Sequence, residues 1–150
     1  MGRFTRILVL ALLALAPAAA VAGPAEDASA LIDRWAAAFN RNDVDALVKL
    51  YAPDAIFMSS VDPSIYERTA AIREYYAKVG GSGRKVEMGE RRMTVLSDVA
   101  VVSTGLYEFT GMRDGKPVTN PARFTMLLVR LGADWMIVNH HSSQRPKPQP

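Results

Sequence analysis

A chain of 150 residues, 49% of them apolar, has room for one domain with a proper core and little for a second. Its 18 basic and 15 acidic residues give a formal +3, but Arg3 and Arg6 lie in a segment predicted to be removed. The remaining +1 offers no electrostatic case for nucleic acid or a membrane surface. The absence of cysteine excludes disulfides, thiol catalysis and thiolate-bound metals.

Residues 1–22 have the three parts of a secretory signal: Arg3 and Arg6, an apolar run over 7–16, and Ala20-Val21-Ala22 as a small-residue cleavage site. The run is short of the roughly 20 residues that span a bilayer. The expectation is a mature chain that starts near Gly23, carries no membrane anchor and works in the periplasm or outside the cell.

Ala28, Leu31, Ile32, Trp35, Ala38 and Phe39 recur at steps of three and four, which predicts a helix over 26–39. Asp43 suits the N-cap of a second helix over 44–51, which Pro53 stops. Residues 55–59 read as a short strand. Thr69 is placed to cap a third helix, 70–79, with Ile72, Tyr75, Tyr76 and Val79 at helical spacing and Gly80 to Gly83 ending it. That glycine cluster follows a helix and precedes no Lys-Ser/Thr, so it does not read as a phosphate loop.

The rest is strand: 85–96, 99–110, a long hairpin connection over 111–120, and two strands joined at Gly132-Ala133-Asp134. With three prolines, residues 144–150 are not expected to continue a ladder, and 146–150 form an extended tail. Helices gathered before an antiparallel meander predict an α+β domain over 23–145, three helices packed on a strongly curved, mostly antiparallel sheet. Such a sheet encloses a cone whose open end is a pocket.

The two histidines, His140 and His141, are adjacent on the last strand, so strand alternation sends them to opposite faces. Counting by twos puts His141 with Trp135, Ile137 and Asn139, and His140 with Met136 and Val138. Either could be a pocket donor or proton shuttle near neutral pH. Diverging vicinal histidines with no third ligand nearby do not make a metal site, and no cofactor is expected. Arg123 shares a strand face with Thr125, Leu127 and Val129, where a carboxylate partner would be needed. Arg92 could pair with Glu90 or Glu108, or with a ligand. Tyr51, Tyr66, Tyr107 and Trp35 supply aromatic and hydroxyl lining, with Tyr66 expected at the mouth. Asp54 and Asp62 stand beside turns and prolines, and neither makes a convincing base and oxyanion-donor pair.

The run Trp35-Ala-Ala-Ala-Phe39 with Leu50-Tyr-Ala-Pro-Asp-Ala55, the helix Ala71-Ile-Arg-Glu-Tyr-Tyr76, and Gly132-Ala-Asp-Trp-Met-Ile-Val-Asn-His-His-Ser-Ser143 together carry a resemblance. Over roughly 26–146 the chain resembles the NTF2-like cone fold, shared by SnoaL-type cyclases, ketosteroid isomerase and scytalone dehydratase. Within it the likeness is to the association domain of calcium/calmodulin-dependent protein kinase II and to stand-alone SgcJ/EcaC-type proteins. The resemblance implies self-association through one sheet face, and it falls on His141 as the pocket histidine. The association domain's pocket arginines are missing: the matching strand has Leu106-Tyr-Glu108, and Ser142 follows His141. The expected function is binding of a small organic molecule in the cone by a homo-oligomer. The alternatives are an isomerase-like enzyme with a histidine proton shuttle, and a pure oligomerisation module.

Overall fold

The computed structural model describes residues 23–147, so the predicted signal segment lies outside it, as do the last three residues of the tail. The elements are α1 (Pro24–Arg41), α2 (Val44–Val48), β1 (Tyr51–Met58), β2 (Ile65–Glu67), α3 (Arg68–Val79), β3 (Lys85–Ser97), β4 (Ala100–Arg113), β5 (Lys116–Leu131) and β6 (Asp134–Gln144). The expected α+β cone is present, with three helices on one face of a six-stranded sheet ordered β2-β1-β6-β5-β4-β3. All pairings are antiparallel except β1 with β6.

Local chemistry accounts for the helix ends. Pro24 opens α1, where its missing N–H costs nothing, and Asn42 closes the helix in the left-handed region at φ 56°. The Asp43 carboxylate accepts from the Ala46 N–H at 2.9 Å, as an N-cap should. Thr69 does not cap α3; that helix starts one residue earlier, after Glu67, and the Thr69 hydroxyl points to the Pro53 carbonyl.

Three other expectations need correction. Tyr51 begins β1 rather than ending α2, because the Leu50 carbonyl already accepts from the Ile137 N–H of β6 at 2.8 Å. The predicted connection over 111–120 is mostly ladder: β4 and β5 pair out to Arg113 and Lys116 around Asp114-Gly115. Pro117 is tolerated there because β6 pairs with β5 only from Ala122 onward; at Pro121 the carbonyl still accepts from the Arg145 N–H at 3.0 Å, so only the missing donor goes unused. Finally, β6 itself continues through Gln144.

Register shifts at Tyr51/Ile56, Met88/Arg91 and Leu127/Leu128 bend the sheet around the helices. The third matters most. Leu127 pairs with Asn139 and Leu128 with Ile137, so Val138 is an additional residue in β6. An additional residue reverses the alternation beyond it. Trp135 and Ile137 face the core before the bulge; His140 and Ser142 face it afterwards.

The core fills the space between sheet and helices with Leu31, Ile32, Trp35, Phe39, Leu47, Phe57, Ile72, Tyr76, Val101, Phe124, Met126, Leu128 and Ile137. At Gly105 of β4 the packing is too close for a side chain. A Cβ there would lie 2.8 Å from the Glu90 carbonyl oxygen, the Arg91 Cβ and the Phe124 ring. We expect Gly105→Ala to lower stability by about 1–3 kcal/mol, read as a reduced urea midpoint at unchanged slope. A midpoint equal to the parent's would show that the backbone yields at this point.

Candidate functional site

The cone narrows to an aromatic funnel lined by Trp35, Phe39, Phe57, Tyr75, Tyr76, Tyr107 and Phe109, with His140 and Ser142 as polar groups and Ser59, Ser60, Val61 and Arg84 also contributing. Free space out to the solvent-open side is about 340 Å³, but the part roomy enough for water is only about 20 Å³. That is room for about one water molecule. No carboxylate belongs to this lining.

Helix α1 delivers Trp35, strand β1 delivers Tyr51, helix α3 delivers Tyr76, and the phase reversal in β6 delivers His140. The Tyr51 and Tyr76 hydroxyls are 2.7 Å apart, and the Trp35 indole N–H donates to both, at 3.1 and 3.2 Å. His140 Nδ1 lies 2.8 Å from the Tyr51 hydroxyl; on the far side, Nε2 is 3.4 Å from the Tyr107 hydroxyl. The Trp35 ring meets the imidazole edge-on at 5.3 Å. His140 is 1% exposed, and the Ser142 hydroxyl beside it is buried with no partner.

Burial dominates the electrostatics. It pushes the Tyr51, Tyr76 and Tyr107 hydroxyls well above the usual phenol range, so all three stay protonated. Loss of water, with a smaller contribution from the neighbouring His141, depresses His140 to about 3. At neutral pH this imidazole is uncharged.

The sequence-predicted residues divide between the two faces of the sheet. Trp35, Tyr51, Tyr107 and His140 meet inside the cone. His141, favoured by the resemblance, is exposed on the outer face, and the bulge at Val138 is the reason. Arg92, Arg123 and Thr125 lie with it, across an open groove that also includes Thr104, Leu106 and Ser143. Arg92 pairs with Glu90, and Arg123 donates to the Ser143 hydroxyl at 3.2 Å. Tyr66 is packed against Phe57 and Tyr75 rather than standing at the mouth. Asp62 holds its own turn through the Ser64 N–H at 2.8 Å, and Asp54 is exposed.

Sequence reasoning missed Ser142 and Arg84 as site residues, and took Tyr76 only as aromatic lining, an inward position of α3 four residues from Ile72. Ser142 needed the bulge. Arg84, which stands 6.0 Å from the Phe109 ring centroid, follows a glycine cluster that gives no facing signal.

His140 also sets a pH dependence. The unfolded chain takes up this proton near 6.5 and the folded one near 3, so the unfolded state binds more protons between those values. Stability is full above pH 6.5 and falls by roughly 1.4 kcal/mol per pH unit below it. Urea melts between pH 6.5 and 4.5, above the range of ordinary carboxylates, should show this slope in the parent and a flattened one in His140→Gln. Equal slopes would mean that the imidazole is charged in the folded protein.

Comparison with known proteins agrees with this geometry. The chain is similar in structure to a protein from Xanthomonas campestris provisionally assigned as a calcium/calmodulin-dependent protein kinase II association domain. The two share 29% identity over 85% of this chain and 95% of that one, with a TM-score of 0.76. An NTF2-like superfamily protein from Salmonella enterica matches at 18% identity, 84% and 94% coverage and a TM-score of 0.74. A ketosteroid isomerase-like protein from Erwinia carotovora matches at 19% identity, 82% and 97% coverage and 0.70. These last two speak to the fold alone. The family model for the SnoaL-like domain matches residues 28–146. The chain therefore belongs to the SnoaL-like family, with the NTF2-like fold.

Proposed function

We propose that the protein is exported, self-associates through the outer face of its sheet, and binds a small, largely apolar molecule at the mouth of its funnel. The observation that carries the binding reading is the partnerless Ser142 hydroxyl, buried beside His140 and Tyr107 at the end of an aromatic funnel. Buried polar groups are ordinarily satisfied, so an open acceptor and donor facing a gap suit a visiting polar atom. A visitor larger than water enters only if Tyr75, Val61 or Arg84 gives way, because the present gap is so small.

Self-association rests on the outer face. Val102 and Leu127 are direct cross-strand neighbours, alternate with the buried Val101, Ser103, Met126 and Leu128, and remain half-exposed. Two apolar side chains paired on an open sheet face favour a second surface over water. Export rests on the basic and apolar segments of residues 1–22.

Proton-shuttle chemistry is the weaker reading. An imidazole depressed to about 3 is a poor base at neutral pH, and the funnel offers no carboxylate in its place. A pure pairing module is favoured by one specific fact, the near-complete filling of the funnel.

Native mass spectrometry of the mature chain reads subunit count and retained ligand together. The expected result is an oligomer carrying a small organic mass that disappears in Ser142→Val with Tyr107→Phe. An oligomer with no adduct, before and after incubation with small apolar compounds, would leave the pairing module standing. Leu127→Arg should convert the oligomer to folded monomer in sedimentation velocity; an unchanged oligomer would move the interface elsewhere.

A further inference from the structure

The proton inventory of the buried cluster is better satisfied in one direction than in the other. Indole N–H is a donor only, whereas each phenol hydroxyl donates one proton and accepts others. Trp35 Nε1–H therefore points at the Tyr51 and Tyr76 oxygens whatever else happens. Two arrangements remain. In the first, Tyr76 donates to Tyr51, Tyr51 donates to His140 Nδ1, and Nε2–H faces the Tyr107 oxygen; the unclaimed proton is that of Tyr107, at the end of the cluster beside the funnel gap. In the second, Tyr107 donates to Nε2, His140 Nδ1–H donates to Tyr51 and Tyr51 donates to Tyr76. The Tyr76 proton is then left over, because its hydroxyl has no neighbours besides Trp35 and Tyr51 within hydrogen-bond distance.

All four side chains are 2% exposed or less. Each arrangement leaves one donor over, but the gap beside Tyr107 has room for a water that accepts its proton, whereas the Tyr76 hydroxyl is enclosed by Trp35 and Tyr51; this biases the cluster toward the first by about tenfold. The doubly protonated imidazole has no anion to face, since no carboxylate lines the funnel.

We propose that the Trp35–Tyr76–Tyr51 relay locks His140 as the Nε2–H tautomer, so that the funnel floor selects ligands presenting an acceptor oxygen, such as the carbonyl of a planar apolar molecule. Nε2–H and the Tyr107 hydroxyl are two of the floor's donors. Their mutual contact is long at 3.4 Å, which leaves both able to turn to a better acceptor. The Ser142 hydroxyl, without a partner, is the third. The walls of Phe57, Tyr75 and Phe109 fit a flat frame, and an ammonium group would find no acceptor on His140 and no anion among the lining residues. His140 is then an electrophilic contact rather than a proton acceptor, and Tyr51 is its positioning residue. The ligand half of this inference rests on the pocket reading above; the tautomer half does not.

The test uses the mature chain with ¹⁵N-labelled histidine. Two-bond ¹⁵N–¹H spectra should give His140 a protonated, pyrrole-type Nε2 and an unprotonated, pyridine-type Nδ1. A pyridine-type Nε2 in the parent overturns the tautomer and leaves the pocket reading intact. Tyr51→Phe, which removes the donor to Nδ1, should mix the two forms; should that variant not fold, the parent spectrum decides alone. Acetophenone and its isostere α-methylstyrene, which lacks the oxygen, are the ligand probes. Acetophenone should shift Nε2–H and bind about tenfold more tightly, the value of one buried hydrogen bond. Equal binding of the two probes, or preference for benzylamine, overturns the selectivity. No response of any funnel resonance to either probe would sink the pocket reading itself, with the tautomer still read independently.

Discussion

Four buried side chains, one each from α1, β1, α3 and β6, share their protons in a single cluster, and the cone is assembled around that requirement. Trp35, Tyr51, Tyr76 and His140 are polar groups in the middle of an aromatic core. Each would be costly there alone, and together they are satisfied. The cluster demands that two helices and two strands arrive in register to within a few tenths of an ångström. Apolar contacts such as Phe57 on Tyr76 and Trp35 on Phe39 supply most of the stability and tolerate small shifts. Hydrogen bonds of 2.7–3.2 Å between rings do not. Packing thus sets how strongly the cone holds, and the polar cluster sets which arrangement it holds.

The fold was legible because its signals were periodic. Helix α1 repeats apolar residues at three and four, the Asp43 cap precedes α2, and the glycines after α3 close it. The site was less legible because it depends on a break in periodicity. His140 and His141 were correctly assigned to opposite faces, but counting by twos grouped His141 with Trp135 and Ile137, left the inward face open, and only the resemblance pointed to His141. A single unpaired residue at Val138, invisible to a pattern of twos, exchanges them. Tyr51 was misread for a related reason: its position after a short helix looks helical until β6, about 85 residues later, supplies an edge for it to join. Both errors come from partners distant in sequence.

The other candidates lie on the same outer face as His141. Arg92, Arg123, Thr125 and His141 do come together, as polar residues at matched strand positions should, but on the face away from the helices. Charged groups on that face keep their water, which removes the need for a ligand to neutralise them. The funnel floor instead holds uncharged hydrogen-bonding groups, since a fully buried arginine would carry the full desolvation cost without a partner; the arginine of the lining, Arg84, is half-exposed. The missing pocket arginines of the association domain are thus consistent with a funnel too narrow and too apolar to hydrate a charge.

The place of β6 in the sheet has a consequence for how the chain acquires its structure. It is the last strand in sequence yet a central one in space, seated between β1 and β5. Until it arrives, β2-β1 and β5-β4-β3 are two fragments with unpaired edges, and the cluster lacks its imidazole. Closing a loop of this length must precede the contacts that reward it, so the final assembly is a late, long-range step. A chain emerging N-terminus first has no way to complete its core before its last dozen residues are free. Under the export proposed above, a core that closes only with the last strand keeps the chain open until it has crossed.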